Sequence, residues 1–208
     1  MSLPKNDAII LAAGRSARYG QAKFSLKFDA EITFLEKIVA EYIAFGCENI
    51  VVVVNTESLD LLQDSQFFHK SEAKSVINPN PESGRFSSIK IGMAALKESN
   101  ATFIQNVDNP FVNLNMLHQL ADNLTEYAGI CPTFHGKGGH PLLLSEKLVI
   151  ALKSENYHVD FKQFLTGFEI QKMEVNDPGV LANINTREDY ERWFGSISAF
   201  PGSAGAKP

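Results

Sequence analysis

Hydrophobic runs alternate along the chain with longer segments in which apolar residues recur at helical spacing. The first unit contains a strand at Ala8–Leu11, a helix at Phe34–Phe45 with its apolar residues on one face, and a second strand ending at Val54. The same patterns downstream predict helices at Ser58–Phe67, Ser87–Lys97 and Asn113–Leu124, and strands at Lys74–Ile77, Ala101–Val107 and Gly129–Thr133. Strands that are apolar throughout and separated by helices indicate an α/β protein whose mostly parallel sheet is covered on both faces. A small ligand of such a sheet binds beyond the carboxyl ends of its strands.

Length and charge restrict the class of protein further. At 208 residues and 44% hydrophobic content, the chain is expected to form one domain, residues 1–194, with a flexible C-terminal tail at residues 195–208. Its 19 basic and 24 acidic residues give a formal charge of −5, which argues against a nucleic acid polymer as partner. The sequence has neither a long apolar run nor the layout of a signal peptide, so we expect a cytoplasmic protein that does not bind membranes.

A basic loop follows the first predicted strand. The segment LAAGRSARYGQAK, residues 11–23, combines small residues with Arg18 and Lys23 in an otherwise acidic chain, which points to a small anionic ligand. Its spacing matches neither a P-loop, because Tyr19 stands where the second glycine is required, nor the dinucleotide-binding fingerprint. Backbone N–H groups at Ala12–Gly14 and the two cations suit a triphosphate. A solvated turn would account for the same composition.

Five segments in chain order resemble motifs of the molybdenum cofactor nucleotidyltransferases, a branch of the nucleotidyltransferases with a GT-A-like fold. The basic loop is similar to the signature L-A-A-G-x-S-x-R-x-G-x-x-K. The others are NPNPESGRFSSIKIGMAAL, similar to the base-binding segment, VDNPFV to the D-Q-P metal loop, GKGGHPLLL to the G-H-P loop, and NINTREDY to the closing D-I-D-T-P-E-D-Y. The resemblance implies a three-layer α/β/α, Rossmann-like fold. It also implies an enzyme that transfers a nucleoside monophosphate from a nucleoside triphosphate to a phosphorylated small molecule, with Mg²⁺ as cofactor and pyrophosphate as product.

The resemblance implies roles for individual residues. Asp108 and Asn185 would bind Mg²⁺, which prefers one or two carboxylates together with phosphate oxygens and water. Gly139 and His140, in the G-H-P loop, would contact the acceptor. The residues implied to bind the nucleotide are Leu11, Ala12, Ala13, Gly14, Arg18, Lys23, Gly84 and Ser88, and those implied in catalysis are Arg18, Lys23 and Asp108.

Each motif also has a structural interpretation. An Asp-Asn-Pro run forms turns, and a lone histidine such as His140 is commonly structural. Thr186 and Asp189 form a capping pattern that starts a helix with or without a metal. Asn183 and Asn185 are two residues apart on an extended segment, so their side chains point the same way and either can reach a metal.

The nucleotide and the acceptor are less tightly specified. Ala13 and the GGHP segment resemble the CTP-dependent members, whereas Asn183 and Asn185 resemble the GTP-dependent members, so the resemblance favours CMP transfer and leaves GMP transfer open. The segment NYHVDFKQFL, residues 156–165, replaces a glycine-rich run of the molybdopterin enzymes, which leaves the acceptor open. The alternatives are a cytidylyltransferase for a sugar-alcohol or phosphonate acceptor, and a non-catalytic nucleotide-binding protein of a cofactor pathway. The sequence also leaves open a transient protein partner in such a pathway.

Overall fold

The computed structural model describes residues 5–14, 22–63, 65–155 and 160–195. Strand β1, Asn6–Leu11, leads through the basic loop to helix α1, Phe34–Phe45, and then to strand β2, Asn49–Val54. Helix α1 has the bounds that its periodicity predicts because both ends carry stop signals. Thr33 and Glu36 form a capping box at its start, and Gly46, at φ 88°, ends it in the left-handed conformation that favours glycine.

The remaining elements continue the alternation of strands and helices. The strands are β3, Lys74–Ile77, β4, Ala101–Asn106, β5, Gly129–Phe134, β6, Lys137–Gly138, β7, Leu142–Leu144, and β8, Ile170–Glu174. The helices are α2, Leu59–Gln63, α3, Gln66–Lys70, α4, Arg85–Ala95, α5, Leu114–Asn123, α6, Glu146–Ser154, α7, Phe161–Leu165, and α8, Arg187–Phe194. Helix α8 begins directly after its N-cap Thr186, which forms with Asp189 the capping pattern that the sequence predicts.

The sheet has the order β3-β2-β1-β4-β7-β5-β6, and β8 pairs with β5. Strands β3, β2, β1 and β4 are parallel neighbours, while β7 runs antiparallel between β4 and β5. On one face Ile38 of α1 and Leu117 of α5 are buried in one core cluster, and on the other Ile89 of α4 and Leu148 of α6 are buried in a second. The predicted fold class, three α/β/α layers around a mostly parallel sheet, is confirmed.

Two local predictions are wrong. The helix predicted at Ser58–Phe67 is instead the two short helices α2 and α3, because the Ser65 side chain accepts a hydrogen bond from Phe68 N and starts a new helix there. Helix α4 begins at Arg85, two residues before its predicted start. Of the predicted tail, residues 196–208 lie outside the described part of the chain. Within the described part, no helix has the length and apolar character needed to cross a membrane.

Candidate active site

A cleft of about 230 Å³ opens at the carboxyl ends of β1 and β4. The parallel pairing of these strands places Leu11 beside Asn106, so the loops that leave both strands border the same space. Eight residues that the sequence predicts for the site line this cleft: Leu11, Ala12, Ala13, Gly14, Lys23, Gly84, Ser88 and Asp108. Arg18, predicted for both nucleotide binding and catalysis, lies outside the described residues.

The start of the basic loop is held by β2. Ala12 N donates to Val53 O at 2.8 Å, and Asn55 Nδ2 donates to Ala13 O at 3.2 Å. A Cβ atom added at Gly14 would have no described atom within 4 Å. Residues 12–14 are therefore fixed on the side of the sheet and line the cleft on the other, where a ligand can approach their backbone closely.

Lys23 connects the two predicted metal ligands. Its Nζ lies 3.2 Å from Asp108 Oδ2 and 2.6 Å from Asn185 Oδ1. The side chains of Lys23 and Asp108 are each 19% exposed, so this ion pair is shielded from bulk water on most sides. Asp108 Oδ1 is buried and makes no hydrogen bond to any described residue. One acidic oxygen thus already faces a cation while its neighbour has capacity to accept another ligand.

Asn185 is not among the residues lining this cleft, but it contacts Lys23 because residues 180–185 are tied to the turn that follows β4. Ile184 N donates to Asp108 O at 2.9 Å, and the buried Asn109 amide donates to Val180 O at 2.9 Å and to Ala182 O at 2.6 Å. Asn183 is exposed and turns back to Leu181 O at 3.0 Å. Of the two asparagines that the sequence leaves open, Asn185 is the one whose side chain contacts Lys23.

The other wall of the cleft is the turn that leads into α4. Gly84 adopts φ 89°, a conformation that favours glycine, and directly precedes the helix. Asn78 is buried and donates from Nδ2 to Ser87 Oγ and to Ser88 Oγ, both at 2.9 Å, while its Oδ1 accepts from Asn80 N. Asn78 therefore fixes both the turn and the serine that lines the cleft.

The two residues predicted to contact the acceptor, His140 and Gly139, have different surroundings. His140 Nε2 is 2.9 Å from Nδ2 of Asn106, which lines the cleft. Burial of the imidazole, and secondarily the positive charge of Arg85, lower the pKa of His140 to about 4, so the ring is neutral at neutral pH. Gly139 is not among the residues lining this cleft; its Cα faces Val180, and a Cβ there would lie 2.4 Å from Val180 O. The close approach of two backbones accounts for this glycine.

Sequence reasoning missed five residues of this site: Asn78, Pro81, Arg85, Asn106 and Val107. Two of them carry a signal that could have identified them, since Asn78 and Asn106 are polar residues at the carboxyl ends of β3 and β4, where ligands of parallel sheets bind. Within the described residues, no cluster of three or more His, Cys, Asp or Glu side chains could hold a metal. A cation here would be held by one carboxylate and amide oxygens, a donor set that suits Mg²⁺ with phosphate and water as further ligands.

Comparison with known proteins places these features in a family. A family model described as "MobA-like NTP transferase domain" matches residues 8–166. The molybdenum cofactor cytidylyltransferase of Escherichia coli (strain K12) is 24% identical over 184 residues, covering 88% of this chain and 93% of that protein. The 2-C-methyl-D-erythritol 4-phosphate cytidylyltransferase of Geobacillus thermodenitrificans is 28% identical over 134 residues, covering 63% of this chain and 58% of that protein.

Solved structures share the fold. The crystal structure of Rv0371c from Mycobacterium tuberculosis H37Rv has a TM-score of 0.76 at 17% identity and covers 93% of this chain and 100% of that one. A complex of the same protein with manganese has a TM-score of 0.71 at 14% identity and covers 92% and 98% of the two chains. The resemblance found in the sequence motifs is confirmed.

Proposed function

Because the chain belongs to the MobA-like NTP transferase domain family and is thus a nucleotidyltransferase, we propose that it transfers CMP from CTP to a phosphorylated small molecule. A phosphate oxygen of the acceptor attacks the α-phosphorus of the triphosphate, the bond to the bridging oxygen breaks, and pyrophosphate leaves. The observation that carries the proposal is the convergence, in one cleft, of residues 11–14 of the basic loop, Lys23 and Asp108.

Different residues of the chain have different roles in this proposed reaction. The backbone of residues 12–14 and the ammonium of Lys23 bind the triphosphate and stabilise the charge of the departing pyrophosphate. Gly84 and Ser88 contact the nucleoside, and His140, through Asn106, borders the acceptor. The attacking phosphate is already anionic at neutral pH, so alignment and charge stabilisation carry the reaction without a strong general base. Arg18 completes the proposed set of cations.

Asp108 and Asn185 would hold a divalent cation, Mg²⁺ in this proposal. Two observations support this fit. Asp108 Oδ2 and Asn185 Oδ1 both contact the ammonium of Lys23, and Asp108 Oδ1 is buried with no partner among the described residues. When bound, a divalent cation would neutralise charge on the reacting phosphate. The manganese complex of the structural relative from M. tuberculosis is consistent with a divalent cation in this fold.

The acceptor is proposed from the two relatives. The E. coli relative, which covers 88% of this chain and is named molybdenum cofactor cytidylyltransferase, supports CTP as the nucleotide and a molybdopterin-type acceptor for this chain. A second candidate, a sugar-alcohol phosphate as acceptor, is supported by the relative from G. thermodenitrificans, named for 2-C-methyl-D-erythritol 4-phosphate. Both candidates share the nucleotide and the leaving group, so the acceptor alone distinguishes them.

Two measurements test the proposal. The melting temperature is first measured with CTP, GTP, ATP and UTP in the presence of Mg²⁺, because a ligand that binds the native state raises it according to affinity. Pyrophosphate release is then measured with the best nucleotide and either molybdopterin or 2-C-methyl-D-erythritol 4-phosphate. We expect CTP to stabilise most and one acceptor to give release that Asp108→Asn abolishes. Stabilisation by a nucleotide without release from any phosphorylated acceptor would instead support the non-catalytic nucleotide-binding protein.

A further inference from the structure

The ammonium of Lys23 lies where the proposed metal ligands converge. Its Nζ contacts both Asp108 Oδ2 and Asn185 Oδ1, so these two oxygens lie close enough together to share one cation. Lys23 also lines the cleft beside the loop of residues 11–14, where the triphosphate is proposed to bind. The same nitrogen can therefore reach two kinds of anion, the carboxylate of Asp108 and a phosphate.

A lysine and a divalent cation cannot both be bound by these oxygens. Asp108 supplies a single negative charge, which the ammonium already balances, and the pair is largely shielded from water. A divalent ion placed against the same oxygens would meet the ammonium at close range, and like charges repel strongly where water is excluded. A divalent cation that binds Asp108 Oδ2 and Asn185 Oδ1 together in the nucleotide-free protein consequently requires Lys23 to leave.

A bound triphosphate would offer Lys23 another anionic partner. The lysine side chain is a flexible four-carbon stem with a point charge, so it can exchange one anionic partner for another without movement of the backbone. Phosphate oxygens in the cleft would replace the carboxylate as its partner and free Asp108 and Asn185. The polyphosphate then supplies the additional negative charge and oxygen ligands that a divalent cation requires.

We propose that Lys23 couples the binding of the metal to the binding of the nucleotide: it occupies the metal ligands in the nucleotide-free protein and releases them when a triphosphate binds. This inference rests on the proposed function of the cleft. It predicts an order of assembly in which the nucleotide, alone or with its cation, precedes stable metal binding by Asp108. Such a device prevents the protein from holding a metal in a site that has no substrate.

The test measures metal binding without nucleotide. Free Mn²⁺ is quantified by electron paramagnetic resonance during titration of the wild type, Lys23→Met and Lys27→Met. Methionine retains an apolar stem of similar length without the charge. Lys27 is the matched control because its Nζ bonds to Glu31 O, so its replacement changes the net charge equally without freeing Asp108. We expect Lys23→Met to bind one Mn²⁺ tighter than wild type by on the order of 10- to 100-fold, and Lys27→Met to resemble wild type.

A double variant identifies the ligand. The gain in Mn²⁺ affinity should disappear in Lys23→Met/Asp108→Asn, because the carboxylate that the lysine had occupied is then absent. Equal Mn²⁺ affinity of Lys23→Met and wild type, or an equal gain in Lys27→Met, would overturn the coupling. Since no nucleotide is present, the result is independent of the proposed reaction: pyrophosphate release by the wild type tests the function, and Mn²⁺ affinity tests the role of Lys23.

Discussion

Ser88 Oγ accepts a hydrogen bond from Nδ2 of Asn78 at 2.9 Å, and this contact determines what Ser88 can offer to a ligand. The amide of Asn78 is oriented by its other end, since its Oδ1 accepts from Asn80 N at 2.9 Å. With its oxygen engaged as acceptor, the Ser88 hydroxyl can donate its own proton into the cleft that it lines. Ser88 can therefore donate to an acceptor atom of the nucleotide that we propose binds in this cleft.

The substitution Asn78→Asp tests whether the direction of the hydrogen bond between Asn78 and Ser88 matters for nucleotide binding. A carboxylate at position 78 can still accept from Asn80 N but cannot donate, so the Ser88 hydroxyl would turn its proton towards residue 78 and away from the cleft. We expect the KM for the nucleotide to rise by about tenfold, the loss of roughly one hydrogen bond, with a smaller change in kcat. Steady-state kinetics with the nucleotide as varied substrate measures both constants.

Ser87→Ala serves as the control for Asn78→Asp. Ser87 accepts from the same amide and donates to Gly84 O, but it is not among the residues lining this cleft. Its removal disturbs the turn without removing the proposed ligand contact. A KM that rises as much in Ser87→Ala as in Asn78→Asp would assign the effect to the turn and contradict the role of Ser88.

Lys23→Ala and Asp108→Ala should each lower turnover by a few orders of magnitude, on the order of 4 kcal/mol of transition-state stabilisation. The reason is that both carry charge at the place where the triphosphate and pyrophosphate are proposed to lie. Pyrophosphate release at saturating nucleotide measures the effect, and Lys27→Ala is the control outside the cleft for the charge removed in Lys23→Ala. Full activity in either Lys23→Ala or Asp108→Ala would remove that residue from the mechanism.

The sequence predicts most of the parallel half of the fold because its signals are local. Helix α1 has both a capping box at Thr33 and a glycine stop at Gly46, and the strands β1 and β2 are continuous apolar runs. Strand β7 is not predicted from the sequence because it has only three residues, and its place between β4 and β5 is set by tertiary pairing. A strand of three residues contains too few positions for a periodic pattern of apolar residues to identify it.

The site shows the same division between local and long-range information. The basic loop and Asp108 are identifiable from motifs, since each follows a strand that ends at the ligand-binding edge. The contact of Lys23 with Asn185 joins residues distant in sequence and depends on the buried Asn109, whose amide fastens the C-terminal segment to β4. No rule of sequence spacing predicts these contacts, so the structural role of Asn109 and the contact of Lys23 with Asn185 rather than Asn183 emerge only in three dimensions.

Gly139→Ala should destabilise the protein by about 1–3 kcal/mol, the usual cost of forcing an atom into a packed site. Its Cβ would lie 2.4 Å from Val180 O and 2.8 Å from Val180 C, both backbone atoms that cannot turn aside as a side chain can. Gly14→Ala is the matched control for stability, since its Cβ would meet no described atom within 4 Å. Urea unfolding measures both, and equal stability of the two variants would contradict the packing argument.

The acid sensitivity of the fold should depend on His140. Burial lowers the pKa of His140 from 6.5 to about 4, so the unfolded chain takes up a proton at a higher pH than the folded protein does. The neutral ring therefore contributes stability fully above the unfolded pKa, and this contribution is lost as the pH falls towards the folded pKa. Between about pH 7.5 and about pH 4.5, the loss should be on the order of 2 to 3 kcal/mol.

His140→Asn isolates that contribution from the carboxylates that titrate in the same range. Asparagine at position 140 cannot take up a proton, whereas the remaining groups, including Asp108 and the neighbouring Arg85, are shared with the wild type. The difference in the free energy of unfolding between the two proteins should therefore shift by this amount in favour of His140→Asn as the pH falls. His118→Asn, which removes an exposed histidine, should follow the wild type. Parallel pH profiles for wild type and His140→Asn would show that the His140 ring is accessible to protons in the folded state, against the burial that the structure assigns to it.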